Sequence, residues 1–188
     1  MTTLPAGATG LPRRRYDTAL VATWVGAGAA MVAAAVHLYI TPEHLREWWL
    51  YGGFFLAVTV AQALLAVLLL RGAGVGVVLL GIWGTVGLIA IYVISRTAGL
   101  PITPPGGGHG IHSHAPGALG SGVPILPGSL PPGVEPVAAL DLVALGAELL
   151  LLGVLVGMLP SALRRLTINL MLVAGVVGWG VAGILSLG

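Results

Sequence analysis

The chain alternates between long apolar stretches and short polar breaks, and the stretches have the length of membrane-crossing helices. A helix that crosses about 30 Å of hydrocarbon needs roughly 20 apolar residues. Five stretches meet this requirement, and they predict transmembrane helices at about residues 18–40, 43–70, 74–95, 137–159 and 165–187. We therefore expect an all-α fold, an integral membrane bundle of five transmembrane helices that forms a single domain over residues 1–188.

Composition agrees with a membrane protein and excludes several other classes. Hydrophobic residues make up 57% of the chain and charged residues 7%, whereas soluble domains carry about 25% charged residues. The net charge of +2 comes from eight arginines scattered along the chain, which is too little for a nucleic-acid surface. Cysteine is absent, and this excludes disulfides, iron–sulfur clusters and thiolate-bound metals.

The arginines also predict how the helices are oriented. Six of the eight lie at the ends that a five-helix arrangement places on one side, and two, Arg46 and Arg96, fall on the other side. Positive residues favour the cytoplasm, so we expect the N-terminus inside and the C-terminus outside, in the cytoplasmic (inner) membrane of a bacterium. The first apolar stretch is longer than the apolar region of a signal peptide, and we expect it to be an uncleaved helix.

Residues 96–136 differ in composition from the rest of the chain. They hold nine of the thirteen prolines and ten of the thirty glycines, which prevents helices or strands of useful length. We expect a long outward-facing loop between the third and fourth helices. Short histidine-rich tracts bind metal ions without a defined fold, although they also arise by chance in low-complexity loops. The loop contains such a tract, His109, His112 and His114.

The segment HLYITPEHLREWW, before the second helix, gathers two histidines and two glutamates in a chain with few charges. Part of it is explained as a helix start, because Thr41 suits the N-cap and Pro42 suits the first helical position. His44 and Glu47 are three residues apart and share a helix face. With His37 across a short turn, they form a candidate site for a divalent transition metal such as copper, zinc or nickel. The alternative is that each histidine only bonds a backbone carbonyl.

The fourth helix carries two carboxylates on one face, Asp141 and Glu148. Asp141 lies about one turn below the outer surface, where it joins the candidate metal ligands or forms a structural ion pair with Arg96. Glu148 lies near the middle of the bilayer, where an ionisable group costs about 2.5–3.5 kcal/mol and indicates a function. Glu148 either serves as a polar site or proton acceptor inside the membrane, or it is a protonated carboxyl that only holds helices together. Its candidate partners are the polar residues at similar depth, Gln62, Thr59 and Tyr92.

Two functions follow from these features. The first is binding or handling of a divalent transition metal at the outward-facing histidine and carboxylate site. The alternative is a non-catalytic accessory subunit of a larger respiratory or oxidase-type membrane complex, with glycine-rich helices packed against other membrane subunits or a second copy. A third option is a proton or quinone role at Glu148. No GxSxG, HExxH or phosphate-loop motif occurs, so no residue is assigned a catalytic role, although enzymatic chemistry is not excluded. We expect no haem, because a bis-histidine haem needs two buried histidines and only His37 lies within an apolar stretch.

The runs HLYITPEHLREWWLYGGFFLAVTVAQ, YVISRTAGLPITP and EPVAALDLVALGAE resemble a pattern of a group of uncharacterised multi-pass bacterial membrane proteins. The resemblance covers roughly residues 36–148, and it brings no activity with it. The histidine-rich insert between residues 105 and 135 looks like an addition to that pattern. The resemblance implies that seven residues belong together, namely His37, His44, Glu47, Gln62, Arg96, Asp141 and Glu148.

Overall fold

The computed structural model describes residues 13–97, 137 and 139–185 of the chain. Within these ranges the chain is α-helical apart from short connections. Its five helices are α1 (Arg13–Glu47), α2 (Trp49–Leu70), α3 (Val75–Thr97), α4 (Ala139–Met158) and α5 (Ser161–Leu185). The predicted loop at residues 96–136 starts later than expected, because α3 continues to Thr97, and the rest of that loop lies outside the described residues.

All five helices are long and apolar enough to cross a membrane. Helices satisfy their own backbone hydrogen bonds, which is why they suit an environment without water. The prediction of an all-helical chain with five long apolar helices is confirmed for the described residues. Large apolar side chains cover the outer surface of the bundle, as the exposed side chains of Trp24, Leu80 and Val176 illustrate. Such a surface is compatible with contact to lipid.

The first helix differs from the prediction at its C-terminal end. We expected Thr41 to cap a new helix, but α1 continues through Pro42 to Glu47, so that prediction is wrong. The Thr41 hydroxyl donates to the carbonyl oxygen of His37 one turn earlier, at 2.7 Å, instead of capping a helix start. Proline lacks an N–H and so removes one backbone hydrogen bond, which membrane helices tolerate when nearby groups compensate. The break falls at Trp48, whose backbone is extended.

A single extended residue between α1 and α2 requires a close approach of the two helices. Gly52 is buried where α2 meets the last turns of α1. A Cβ atom at Gly52 would lie 2.7 Å from the Cα atom of Leu45 and would also overlap the Leu45 side chain. The hairpin therefore depends on a residue without a side chain at this position.

Small residues on α1 face larger ones on the neighbouring helices. Ala30 and Ala33 are fully buried, and small side chains let membrane helices approach closely. Helix α1 packs against α2 and α4, and α3 packs mainly against α4. The buried large side chains that fill the space between these helices are Leu69, Ile82, Leu151 and Leu155.

Helix α5 lies at the edge of this four-helix core. Its Leu163 and Met171 pack against the core and its Thr167 is buried. The apolar residues that follow, such as Val173 and Val176, are exposed. The first half of α5 therefore belongs to the bundle more than the second half does.

Candidate functional site: a polar cluster among α1, α2 and α4

Three helices of the core each contribute one polar side chain to the same place. His37 of α1, Gln62 of α2 and Glu148 of α4 are 9%, 5% and 4% exposed, respectively. We call these three residues the polar cluster. They are among the few buried polar residues that the structure describes, and the surrounding core is apolar.

The length of α1 explains why His37 reaches the level of Glu148. His37 lies ten residues before the end of α1, which corresponds to about 15 Å along the helix axis. Glu148 lies nine residues after the start of α4, or about 14 Å from it. The two residues therefore meet about three turns away from these two helix ends.

Two nitrogen atoms converge on one carboxyl oxygen of Glu148. The distance from His37 Nε2 to Glu148 Oε1 is 3.1 Å. Gln62 donates from Nε2 to the same oxygen at 3.3 Å. An amide NH₂ group can only donate, so Oε1 acts as an acceptor in this contact. When Oε1 carries no proton, His37 must donate to it as well.

The same three side chains leave two buried polar atoms without a hydrogen-bond partner. When Glu148 Oε1 carries no proton and His37 donates to it through Nε2, a neutral ring has an unprotonated Nδ1. Neither His37 Nδ1 nor Gln62 Oε1 has a hydrogen-bond partner in the described part of the chain, and both atoms are buried. The polar cluster is therefore an incompletely satisfied hydrogen-bonding site within an apolar core.

An aromatic residue adjoins the cluster on the side of the α1–α2 turn. The rings of Phe55 and His37 are stacked, with centroids 5.7 Å apart. The ring of Phe55 also contacts the ring of His44 edge to face, with centroids 4.3 Å apart. Phe55 therefore contacts both the deeply buried histidine and the half-buried one nearer the helix end.

Asp141 lies in a separate ionic contact between α3 and α4. Arg96 donates from Nη2 to Asp141 Oδ2 at 2.9 Å, and the guanidinium lies 5.5 Å from the centre of the Tyr92 ring. This is the structural ion pair that the sequence offered as the alternative for Asp141. Tyr92, a candidate partner of Glu148, belongs to this contact, and the hydroxyl of Thr59 donates to Phe55 O instead.

The structure does not assemble the expected metal ligands into one set. His37 and His44 are seven residues apart on one continuous helix, or about 10.5 Å along its axis. Within the described ranges no three histidine, aspartate or glutamate side chains are placed to hold a metal ion. His44 uses Nδ1 to donate to the carbonyl oxygen of Ile40 at 3.0 Å. The three loop histidines, His109, His112 and His114, lie outside the described residues.

The sequence indicated each member of the polar cluster but did not predict the contact between His37 and Glu148. It named Gln62 as a candidate partner of Glu148, and the structure shows that contact. The sequence predicts the end of the first helix near residue 40, and this places His37 near the outer surface. If the first helix is taken to end at Glu47, His37 lies ten residues from that end and at the level of Glu148.

The five long apolar helices suggest a membrane protein, and the cluster gives its helical core a buried histidine–glutamate pair. No family model, curated protein or solved structure matches the chain. The role of the cluster is therefore inferred from its own chemistry.

Proposed function

We propose that this chain is a five-helix membrane protein whose polar cluster binds and releases a proton within the membrane. The observation that carries the proposal is the convergence of His37 and Gln62 on one oxygen of Glu148, with two further buried polar atoms of the cluster left without a partner. Histidine and glutamate are the side chains that most often act as proton carriers in membrane proteins. Ionisable residues at such depth mark functional sites by default.

The chemistry of the cluster involves one proton. With a carboxylate at Glu148 and a neutral ring at His37, the cluster has a net charge of −1. One added proton makes it neutral, whether the imidazole or the carboxyl holds it. The 3.1 Å contact between the two groups allows the proton to move from one to the other. Gln62 keeps the accepting oxygen directed towards His37.

The charged groups nearest to this site lie towards the helix ends. Asp141 is on the same face of α4, two turns away, and is paired with Arg96. His44 is separated from His37 by the ring of Phe55. With the N-terminus inside and the C-terminus outside, as the arginine distribution predicts, all of these groups lie towards the outer face. We propose that the cluster exchanges its proton with that side in the inner membrane of a bacterium.

Infrared difference spectra of the purified protein, recorded while the pH is changed, test the proposal. We expect the wild-type chain to show a titrating carboxyl band that is lost in Glu148→Gln. The amide of glutamine can still accept both hydrogen bonds but cannot bind the proton. Glu47→Gln is the matched control, since it makes the same change at the end of α1, and it should retain the band. Identical spectra for the wild type and both variants would rule the proposal out.

Metal binding at the outer end of α1 is the second candidate function, and the geometry of His44 favours it. A carbonyl oxygen can only accept, so the contact with Ile40 O places the proton of a neutral His44 on Nδ1. This leaves the lone pair of Nε2 available to a metal ion. Glu47 lies three residues later on the same helix. We propose that these two residues, with the histidines of residues 109–114, bind a divalent transition metal such as copper, zinc or nickel.

Calorimetric titration with Cu(II), Zn(II) and Ni(II) tests metal binding. We expect His44→Ala to weaken binding by at least about 10–100-fold, because this is the loss seen when only a group that orients a ligand is removed, and His44 would itself be a ligand. His37→Ala should leave the affinity unchanged, because His37 belongs to the polar cluster. A wild-type protein without measurable affinity for these ions would remove this candidate. The accessory-subunit role stays a prediction, which purification in mild detergent addresses by showing whether other subunits accompany the chain.

A further inference from the structure

Phe55 occupies the space between the two described histidines. It lies on α2, two turns before Gln62, and therefore on the same face of that helix. Its ring contacts His37 at 5.7 Å and His44 at 4.3 Å between centroids. His44 is half-buried near the end of α1, whereas His37 is 9% exposed.

An apolar ring in this position has two consequences for the imidazole of His37. Stacking limits the rotation of the ring, which keeps Nε2 directed at Glu148. The half-buried ring also lies between the imidazole of His37 and that of His44 nearer the helix end. A phenyl group neither donates nor accepts a proton, so a proton cannot cross it along a chain of hydrogen bonds.

We infer that Phe55 is a positioning residue that orients His37 and closes the polar cluster towards the α1–α2 turn. Proton exchange on that side then requires the Phe55 ring to move. The role of Phe55 in proton exchange rests on the proposed function. Its physical content, shielding of His37 by Phe55, is measurable without observing proton binding.

Acylation of histidine by diethyl pyrocarbonate, followed residue by residue by mass spectrometry, measures this shielding. In the wild-type protein we expect His44 to react and His37 to react much more slowly. Phe55→Ala should raise the reaction rate of His37 on the order of tenfold, which corresponds to a free energy of local opening lower by about 1.4 kcal/mol. Leu56→Ala is the matched control, because Leu56 is the next residue of α2 and is 47% exposed. It should leave the rate of His37 as in the wild type.

A second variant keeps the test decisive if Phe55→Ala does not fold. Phe55→Leu preserves most of the apolar volume but not the stacking, and we expect it to raise the rate of His37 by a smaller factor. The inference is overturned if His37 reacts as fast as His44 in the wild type. It is also overturned if both Phe55 variants match the Leu56→Ala control.

The two proposals can fail separately. If the infrared spectra show no titration that depends on Glu148 while the acylation pattern holds, the proton-binding function is wrong and Phe55 still shields His37. If the titration is present and Phe55→Ala changes neither the acylation nor the proton-exchange rate of the cluster, only the role of Phe55 is wrong.

Discussion

Replacing Glu148 by leucine is expected to lower the free energy of unfolding by about 1–3 kcal/mol, because it leaves buried donors without an acceptor. The carboxyl oxygen accepts from His37 and from Gln62, and neither donor has another hydrogen bond in the described structure that could replace it. Leucine fills a similar volume, so the loss reflects the hydrogen bonds more than a cavity. Reversible unfolding in mixed detergent micelles measures the change.

Two further variants separate the contacts of Glu148 from its burial. Glu148→Gln retains an acceptor and is expected to lose clearly less stability than Glu148→Leu. The double variant with His37→Leu removes both partners of the 3.1 Å contact. We expect a coupling free energy of about 0.5–3 kcal/mol, the range found for residues in direct contact. Additive losses would show that the contact between His37 and Glu148 does not stabilise the fold.

Replacing Gly52 by alanine is expected to have a comparable effect on the α1–α2 hairpin. The new Cβ would lie 2.7 Å from the Cα atom of Leu45, so a backbone segment must move, not only the end of a side chain. Overpacking of this kind costs about 1–3 kcal/mol. The displaced segment carries His44, so its edge-to-face contact with Phe55 should also be weakened.

The neighbouring glycine provides the control for this prediction. A Cβ at Gly53 meets no atom within 4 Å, although both glycines lie in the first turns of α2. Gly53→Ala is therefore expected to be neutral or to stabilise the helix by up to about 1 kcal/mol. Equal thermal stability of the two variants in detergent would contradict the close approach of α1 and α2 at Gly52.

The number and type of helices were predictable because they depend on neighbouring residues. A segment crosses a membrane according to its length and apolar content, and both are properties of a contiguous run. For this reason the five expected stretches match α1 to α5, apart from boundaries that differ by a few residues. The larger difference, at Thr41 and Pro42, arose because residues that suit a helix start can also lie inside a helix, where the Thr41 hydroxyl donates to the carbonyl oxygen of His37.

The sequence predicted which residues belong to candidate sites, but it did not predict which of them contact one another. Asp141 and Arg96 were expected to meet, since they come from helix ends at the same level, and the structure pairs them. Gln62 and Glu148 were matched by depth in the same way. His37 was placed by the assumed end of the first helix, and an error of seven residues moved it by about 10 Å. That shift changed its partners from His44 and Glu47 to Glu148.

The sequence by itself determined that this protein is helical, apolar and long enough in five places to cross a membrane, because each of these properties belongs to a local run of residues. Only the tertiary structure decided which rare polar side chains meet. That outcome depends on where α1 ends, how each helix is rotated and which helices are neighbours, and none of these is a property of one segment. The polar cluster of His37, Gln62 and Glu148 exists because three separate helices present one polar residue each at the same depth.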